Sequence, residues 1–259
     1  MPLTVQQASG RPEAQFLCRR SILALVVGAA GAGVLSACAT RMPSYRYRMT
    51  VEVETPEGLR SGSSVMEVGG FIESQFAPGE ARGRSVQHVT GEAIRVEMPG
   101  GRMLFALMVS DRDPEYMTSA ALTAAANEPW YSQKLSPNER RKLRDKFLSR
   151  PQQIPRSVDR ARSQNADLFD NYPIFVTFGN TNDPQSIRRV NPDSLSAVFG
   201  SGVHLKRITV QLTRDPVTRE MKEYLPWIDG AATIPFPPAF DAQFHTFGNY
   251  RSIFVLDGQ

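Results

Sequence analysis

The sequence predicts an α+β fold, in which a mostly antiparallel sheet has helices packed on one side. Three observations support this class: strand-like segments follow one another over residues 45–109, helical segments follow over 113–171, and both kinds then alternate. The proportions of 41% hydrophobic and 22% charged residues are ordinary for a globular chain. We therefore expect one domain over residues 45–259, preceded by a signal peptide.

The first two strands are predicted from alternating residues and a turn. Residues 45–54 place apolar side chains on one face and mostly charged ones on the other, which is typical of a half-buried strand. Residues 55–58, Thr-Pro-Glu-Gly, have turn chemistry, and residues 63–71 return as a second strand. Together these segments predict an antiparallel hairpin.

Later strands are predicted over four further segments. Residues 84–98 predict one or two strands, with Gly91 as a break or bulge. Residues 102–109 are nearly all apolar, as in a central strand covered on both faces. Residues 173–178 predict a short buried strand, and residues 203–213 alternate again.

Helices are predicted mainly from capping residues. Ser136, Pro137 and Glu139 form a capping-box pattern that opens a helix ending before Pro151. The other predicted helices are an alanine-rich one opened by Asp113-Pro114 and running to Asn127, one over 159–171, a short one from Asn191-Pro192 to Phe199, and one from Asp215-Pro216 to Trp227. An edge strand over 252–256 is expected near the end of the chain.

The first 37 residues have the plan of a secretory signal. Arg19 and Arg20 precede an apolar run over 21–34, and small residues then lead to Cys38. The run is at the short end of what can span a bilayer, so a permanent membrane helix is the weaker interpretation. We expect a signal peptide over 1–37 and a tether over 38–44.

Leu35, Ser36, Ala37 and Cys38 resemble the bacterial lipobox at every position. The resemblance implies that the Cys38 thiol takes a diacylglyceryl group, that cleavage occurs before Cys38, and that the new amino group is acylated, for example with palmitate. The alternatives are a plain cleaved signal and an uncleaved anchor. Ala39 stands where an inner-membrane retention signal would have Asp, so the resemblance favours a periplasm-facing protein of the outer membrane.

The predicted domain contains no cysteine, and two export pathways are compatible with the leader. The chain has two cysteines, Cys18 in the leader and Cys38, so residues 45–259 rely on their core alone. Residues 18–23, CRRSIL, resemble a twin-arginine signal, so general secretion and twin-arginine export both remain open, and Met1 can be a start placed too far upstream.

Three segments resemble a family of alphaproteobacterial envelope proteins. They are residues 45–68, 91–105 and 175–225, and their phrases are long and in order. The resemblance implies an envelope location and a shared fold, and it carries no activity or substrate. Residues 116–171 do not take part in it.

Motifs for several chemistries are absent from the sequence. His88, His204 and His245 lie far apart, without metal-ligand spacing, and no G-x-S-x-G, P-loop or G-x-G-x-x-G motif occurs. No metal, cofactor or catalytic residue is therefore predicted. Glu52 and Glu54 share a strand face, and basic neighbours favour a solvated face with cross-strand ion pairs over acid–base chemistry.

A polar loop over residues 180–193 is the best candidate for a binding site, because loops after strands often carry sites. The candidate residues are Asn180, Asn182, Asp183, Arg188, Arg189 and Asp193. The alternative is that the Asn, Asp and Pro residues form turns and caps while the arginines pair locally.

The segment 134–162 is strongly basic, with ten Lys or Arg and three acidic residues. Its basic residues are Lys134, Arg140, Arg141, Lys142, Arg144, Lys146, Arg150, Arg156, Arg160 and Arg162. Beside a lipid anchor this segment suits an anionic lipid or an acidic protein partner, and the alternative is a solvated helix face. Nucleic acid is not an expected partner, because the leader holds half of the formal net charge of +4 and the protein is exported.

Two functional hypotheses follow. The first is a non-enzymatic binding or scaffold lipoprotein held at the membrane by Cys38, and the absence of catalytic motifs favours it. The second is an envelope hydrolase acting on cell-wall or lipid substrates, which a cleft with a perturbed carboxylate or histidine would support.

Overall fold

The computed structural model describes residues 39–74, 79–111, 113–124, 128–131, 134–152, 156–158, 172–238, 240 and 248–258. Within these residues the chain forms eleven strands, five α-helices and six short 3-10 helices. Every strand pair among them is antiparallel. The predicted α+β class is confirmed.

The strands and helices span the following residues. The strands are β1 Thr40–Arg41, β2 Tyr45–Thr55, β3 Gly58–Ile72, β4 Ser85–Glu92, β5 Ile94–Glu97, β6 Met103–Ala106, β7 Arg156–Ser157, β8 Phe175–Phe178, β9 Ile187–Val190, β10 His204–Thr213 and β11 Val255–Asp257. The helices are α1 Tyr116–Ala124, α2 Pro137–Leu148, α3 Ser196–Phe199, α4 Met221–Tyr224 and α5 Tyr250–Phe254.

The strands form two sheets. In the first sheet the order is β11-β4-β3-β2-β10-β7, and β1 pairs with the far end of β3. The second sheet has the order β5-β6-β8-β9. The predicted hairpin is present in the first sheet, where β2 and β3 pair from Tyr45, opposite Val68, to Thr55, opposite Gly58.

The alternation predicted for β2 is confirmed. Its inner face, with Tyr47, Met49, Val51 and Val53, is fully buried. Its outer face carries the expected cross-strand ion pairs: Glu52 meets Arg207 at 2.9 Å, and Glu54 meets His204 at 2.7 Å and Lys206 at 2.9 Å. The two carboxylates therefore belong to an ion-paired surface of the first sheet.

Strands β6 and β8, at the centre of the second sheet, are buried on both faces, as predicted for the apolar run within residues 102–109. Leu104 and Ala106 face a core shared with the first sheet, whereas Phe105 and Leu107 face a second core. Helix α1 contributes Met117 to the first core. The second sheet is thus a middle layer between the first sheet and the C-terminal helices.

Aromatic rings dominate the second core. Phe254 of α5 packs edge-on to Phe105 with ring centroids 5.7 Å apart, and Phe178 lies 5.9 Å from Phe254. Trp227, which precedes the 3-10 helix Ile228–Thr233, lies 5.3 Å from Tyr250. This cluster attaches the C-terminal segment to the second sheet.

The chain passes from one sheet to the other at Ala93. Strand β4 ends at Glu92 and β5 begins at Ile94. The sequence predicted a break at Gly91, and the structure has it two residues later. Gly91 itself pairs with Leu256 inside the ladder. The Ala93 backbone N–H donates instead to the carbonyl of Phe254, at 2.8 Å.

Two residues of the predicted tether, Thr40 and Arg41, pair with the first sheet. Thr40 pairs with Ile72 and Arg41 with Phe71, and the Met42 N–H donates to the Gly70 carbonyl at 2.9 Å. Three residues lie between Arg41 and Tyr45, against two between their partners Phe71 and Val68, so the chain between β1 and β2 contains one extra residue and forms a bulge. Cys38 lies outside the described residues.

The capping predictions hold for two helices. Ser136 accepts a hydrogen bond from the Glu139 N–H at 3.3 Å, and Glu139 accepts one from the Ser136 N–H at 2.9 Å, which completes the capping box of α2. Near α3, Asn191 caps a 3-10 turn and Gly200 ends the helix with a φ of 107°. Helix α1 begins at Tyr116, after Asp113 has capped a preceding turn.

The helix predicted from Asp215 to Trp227 is wrong over its first half. Thr218 exchanges two hydrogen bonds with Val65 of β3, at 2.9 and 3.1 Å, and this pairing keeps residues 214–220 out of a helix. Only α4 remains helical. The edge strand predicted over residues 252–256 is helical in its first part, which belongs to α5, and only its end belongs to β11. The helix predicted over residues 159–171 lies outside the described residues.

Candidate functional site

The loop over residues 180–193 is built from turns. The Asn180 side chain accepts a hydrogen bond from the Asn182 N–H at 3.0 Å, and Asp183 accepts one from the Gln185 N–H at 2.9 Å. The Ser186 hydroxyl donates to backbone carbonyls of the same loop. The turn interpretation of these residues therefore has direct structural support.

The charged residues of this loop line none of the three cavities described below. Arg189 forms an ion pair with Asp111, and Arg188 is exposed on the neighbouring position of β9. The Asp193 N–H donates to the side chain of Asn191 in the next turn. The three cavities considered next are lined by other residues, so the loop remains only a predicted binding site.

The basic segment centres on the exposed helix α2. Phe147 and Leu148 pack against the first core, whereas Leu143, predicted to share their stripe, is 37% exposed. Arg156 pairs with Glu128 and lies over the Phe147 ring at 5.2 Å. The last two basic residues, Arg160 and Arg162, lie outside the described residues.

A cavity of about 480 Å³ lies along the β4–β11 edge of the first sheet. Met117, Val255 and Leu256 give it an apolar floor, and His88 and Glu115 stand among its polar lining residues. Its volume is within the range of small-molecule sites. The sequence did not reveal this cavity, because its walls come from segments far apart in the chain.

A smaller cleft of about 260 Å³ contains Glu92, at the point where the chain leaves the first sheet. The Glu92 side chain is almost completely buried, and its Oε2 accepts backbone N–H bonds from Glu220 at 2.5 Å and Met221 at 2.8 Å. Burial raises the pKa of this carboxyl above its ordinary value, and the two hydrogen bonds oppose that shift. Beside it, Arg95 stacks on the Tyr224 ring at 3.7 Å.

Glu92 should make the stability of the protein depend on pH. Because its pKa is raised in the folded state, the folded state binds the proton more tightly, and this contribution is lost as pH rises from about 4.5 upward. Glu92→Gln should therefore gain stability relative to wild type as pH rises from about 4.5 to 7. Urea unfolding at several pH values checks this, and a constant difference between the two proteins would contradict it.

A third cavity, of about 260 Å³, lies beside the bulge that joins β1 to β2. We call it the arginine corner, and its lining residues are Ser44, Tyr45, Arg46, Glu67, Leu148, Ser149, Arg150, Pro151, Leu212, Thr213 and Arg214. The corner thus joins the start of β2, the end of α2 and the end of β10. Sequence reasoning found only one of its three arginines, Arg150.

The described residues contain no group of three or more His, Cys, Asp or Glu side chains placed to hold a metal ion. No helix in this part of the chain is both long and apolar enough to cross a membrane.

Comparisons with known proteins gave no match to a family model, to a curated protein or to a solved structure. The resemblance to envelope proteins therefore stays a prediction. The observations that bear on function are the sequence at Cys38 and the geometry of the folded residues.

Proposed function

We propose that this chain is a cell-envelope lipoprotein, anchored through Cys38, whose domain is a non-enzymatic binding or scaffold module facing the periplasm. The observation that carries the proposal is the docking of β1. Backbone pairing with β3 begins at Thr40, so Ala39 alone separates Cys38 from the folded domain.

This short connection has a mechanical consequence for an anchored protein. Two residues of extended chain span at most about 7 Å, so acyl chains on Cys38 would hold the first strand at the level of the lipid headgroups. Two or three acyl chains are sufficient for stable anchoring, whereas one is not. A domain attached in this way presents a fixed face to the membrane, which suits a scaffold or binding module.

The cavity on the β4–β11 edge supports a binding role. Its volume of about 480 Å³ and its apolar floor under polar side chains are features of sites for small ligands. The edge strand β11 and the side chains of α1 form parts of its wall, so the site belongs to the folded domain.

Acylation is tested by replacing each cysteine in turn. Wild type and Cys18→Ala should incorporate labelled palmitate and lose the leader, whereas Cys38→Ala should do neither. Cys18→Ala is the matched control, because it removes the other thiol of the chain. Unchanged labelling and leader cleavage in Cys38→Ala would refute the lipoprotein assignment. Cross-linking in cells, compared between the same proteins, then identifies partners that depend on anchoring.

An envelope hydrolase is the second candidate, and the Glu92 cleft favours it. A buried carboxyl with a raised pKa is a group that can act as a general acid. The Glu92→Gln protein tests this on peptidoglycan and phospholipid substrates: a hydrolase using Glu92 should lose activity about 100-fold or more. Absence of hydrolysis by the wild-type protein would leave Glu92 with the structural task of holding the start of α4.

A further inference from the structure

We propose that the arginine corner binds the phosphate of an anionic lipid headgroup in the leaflet that holds the anchor. The inference rests on the proposed function, since it uses the position of Cys38. It adds a second membrane contact, made by side chains of the folded domain, and it names the chemistry of the ligand.

The charge of the corner is the first observation. Three arginines and one glutamate line it, which leaves a formal charge of +2. Arg46 is held in place by Glu67, through Nε and Oε2 at 2.5 Å, so these two charges compensate each other. Within the described residues, no carboxylate lies within ion-pair distance of Arg150 or Arg214, and both are exposed.

The location of the corner is the second observation. Ser44 lines it, and Cys38 lies six residues earlier, so the two are at most about 20 Å apart. Pairing with β3 directs the intervening chain along the sheet, so the corner keeps a fixed distance from β1. When β1 lies along the membrane surface, the corner meets the headgroup region, which is about 5–7 Å thick on each side of the bilayer.

The chemistry of the side chains favours phosphate. A guanidinium group offers paired N–H donors that match two phosphate oxygens, and it stays charged at every physiological pH. A cavity of about 260 Å³ has room for a group of that size. The exposed residues Arg141, Lys142 and Lys146 of α2 extend the positive surface beyond the cavity.

An acidic protein is the other partner that such a surface can attract. The lipid is favoured here because the anchor brings it to the corner in every molecule, whereas a protein partner would have to compete with the leaflet. Each Lys or Arg close to an anionic membrane strengthens association about fivefold. Reversal of one charge in the corner should therefore weaken association with an anionic membrane about tenfold or more.

The test uses the full chain in a Cys38→Ala background, so that no acyl group contributes. Association is measured by flotation with phosphatidylcholine vesicles and with equimolar phosphatidylcholine–phosphatidylglycerol vesicles. Arg150→Glu and Arg214→Glu should each bind the anionic vesicles about tenfold more weakly. Arg60→Glu is the matched control, because Arg60 lies opposite Val53 at the hairpin end of β3, away from β1, and it should change binding less than about twofold. The leader is common to all variants, so it cannot account for a difference.

Each outcome decides the proposal. A loss confined to Arg150→Glu and Arg214→Glu, present only with anionic vesicles and weakened by salt, supports it, provided that melting temperatures are unchanged. An equal loss in Arg60→Glu, or an equal loss with neutral vesicles, overturns it. Unchanged vesicle binding together with loss of a cross-linked acidic protein in cells replaces the lipid by a protein partner. Since the assay omits Cys38, its failure and a failure of acylation are separate results.

Discussion

Replacing Gly62 with alanine should destabilise the domain by about 3 kcal/mol or more. Gly62 lies in β3 opposite Val51, on the face that meets the second sheet. A β-carbon at this position would overlap the carbonyl oxygen and carbon of Arg95 in β5. Because the overlap is with backbone, no rotamer change relieves it, and β3 and β5 would have to separate.

The measurement is urea unfolding followed by far-UV circular dichroism. Gly230→Ala is the control, since a β-carbon at Gly230 has no neighbour within 4 Å and its backbone is not left-handed. That variant should stay within about 1 kcal/mol of wild type. Equal effects of the two substitutions would show that β3 and β5 do not approach as closely as the structure places them.

Phe254→Ala should cost about 3–5 kcal/mol of unfolding free energy. The ring is fully buried at the centre of the second core, with Phe105, Phe178 and Trp227 around it at centroid distances of 5.7, 5.9 and 6.4 Å. Truncation removes these contacts and leaves a cavity that the buried strands β6 and β8 cannot easily fill.

Trp227 gives this experiment a local signal, because its indole contacts the Phe254 ring. Unfolding should be followed by both tryptophan fluorescence and circular dichroism. Leu59→Ala is a suitable control, since Leu59 is 52% exposed and its truncation should change stability by less than about 0.5 kcal/mol. A Phe254→Ala protein as stable as the Leu59→Ala protein would contradict the packing of the second core.

The elements that sequence reasoning predicted well are those with local causes. The alternation from Tyr45 to Glu54 depends only on which face is buried, and β2 follows it residue by residue. The capping box at Ser136 and Glu139 closes within one turn, so its residues suffice to identify it. The division of the strands into two sheets had no such local signal.

The errors arise where distant contacts decide the local conformation. Asp215 and Pro216 have helix-start chemistry, yet Thr218 pairs with Val65, which lies 153 residues earlier in the chain. Thr40 and Arg41 of the predicted tether likewise pair with Ile72 and Phe71, which continue the ladder past β2. Neither partner can be identified from the neighbouring residues.

The candidate sites were harder to predict than the fold. Glu92 ends the mixed polar and apolar strand β4, and no local pattern in the sequence signals that its side chain is buried. The arginine corner joins Arg46 to Arg214, which no sequence spacing relates. Cys38 was found because a lipidation motif is contiguous.

The strand pairings differ in how far apart their strands lie along the chain, and this difference should order the steps of folding. Strands β2, β3 and β4 follow one another, so their pairing closes short loops. Phe105 of the second sheet pairs with Val176, about 70 residues later, and Met49 of the first sheet pairs with Val210, about 160 residues later, so closing these loops costs more entropy. The apolar side chains of β6 therefore stay exposed to solvent until β8 pairs with β6. That interval is when the chain is most prone to self-association, and a chaperone would shield it then.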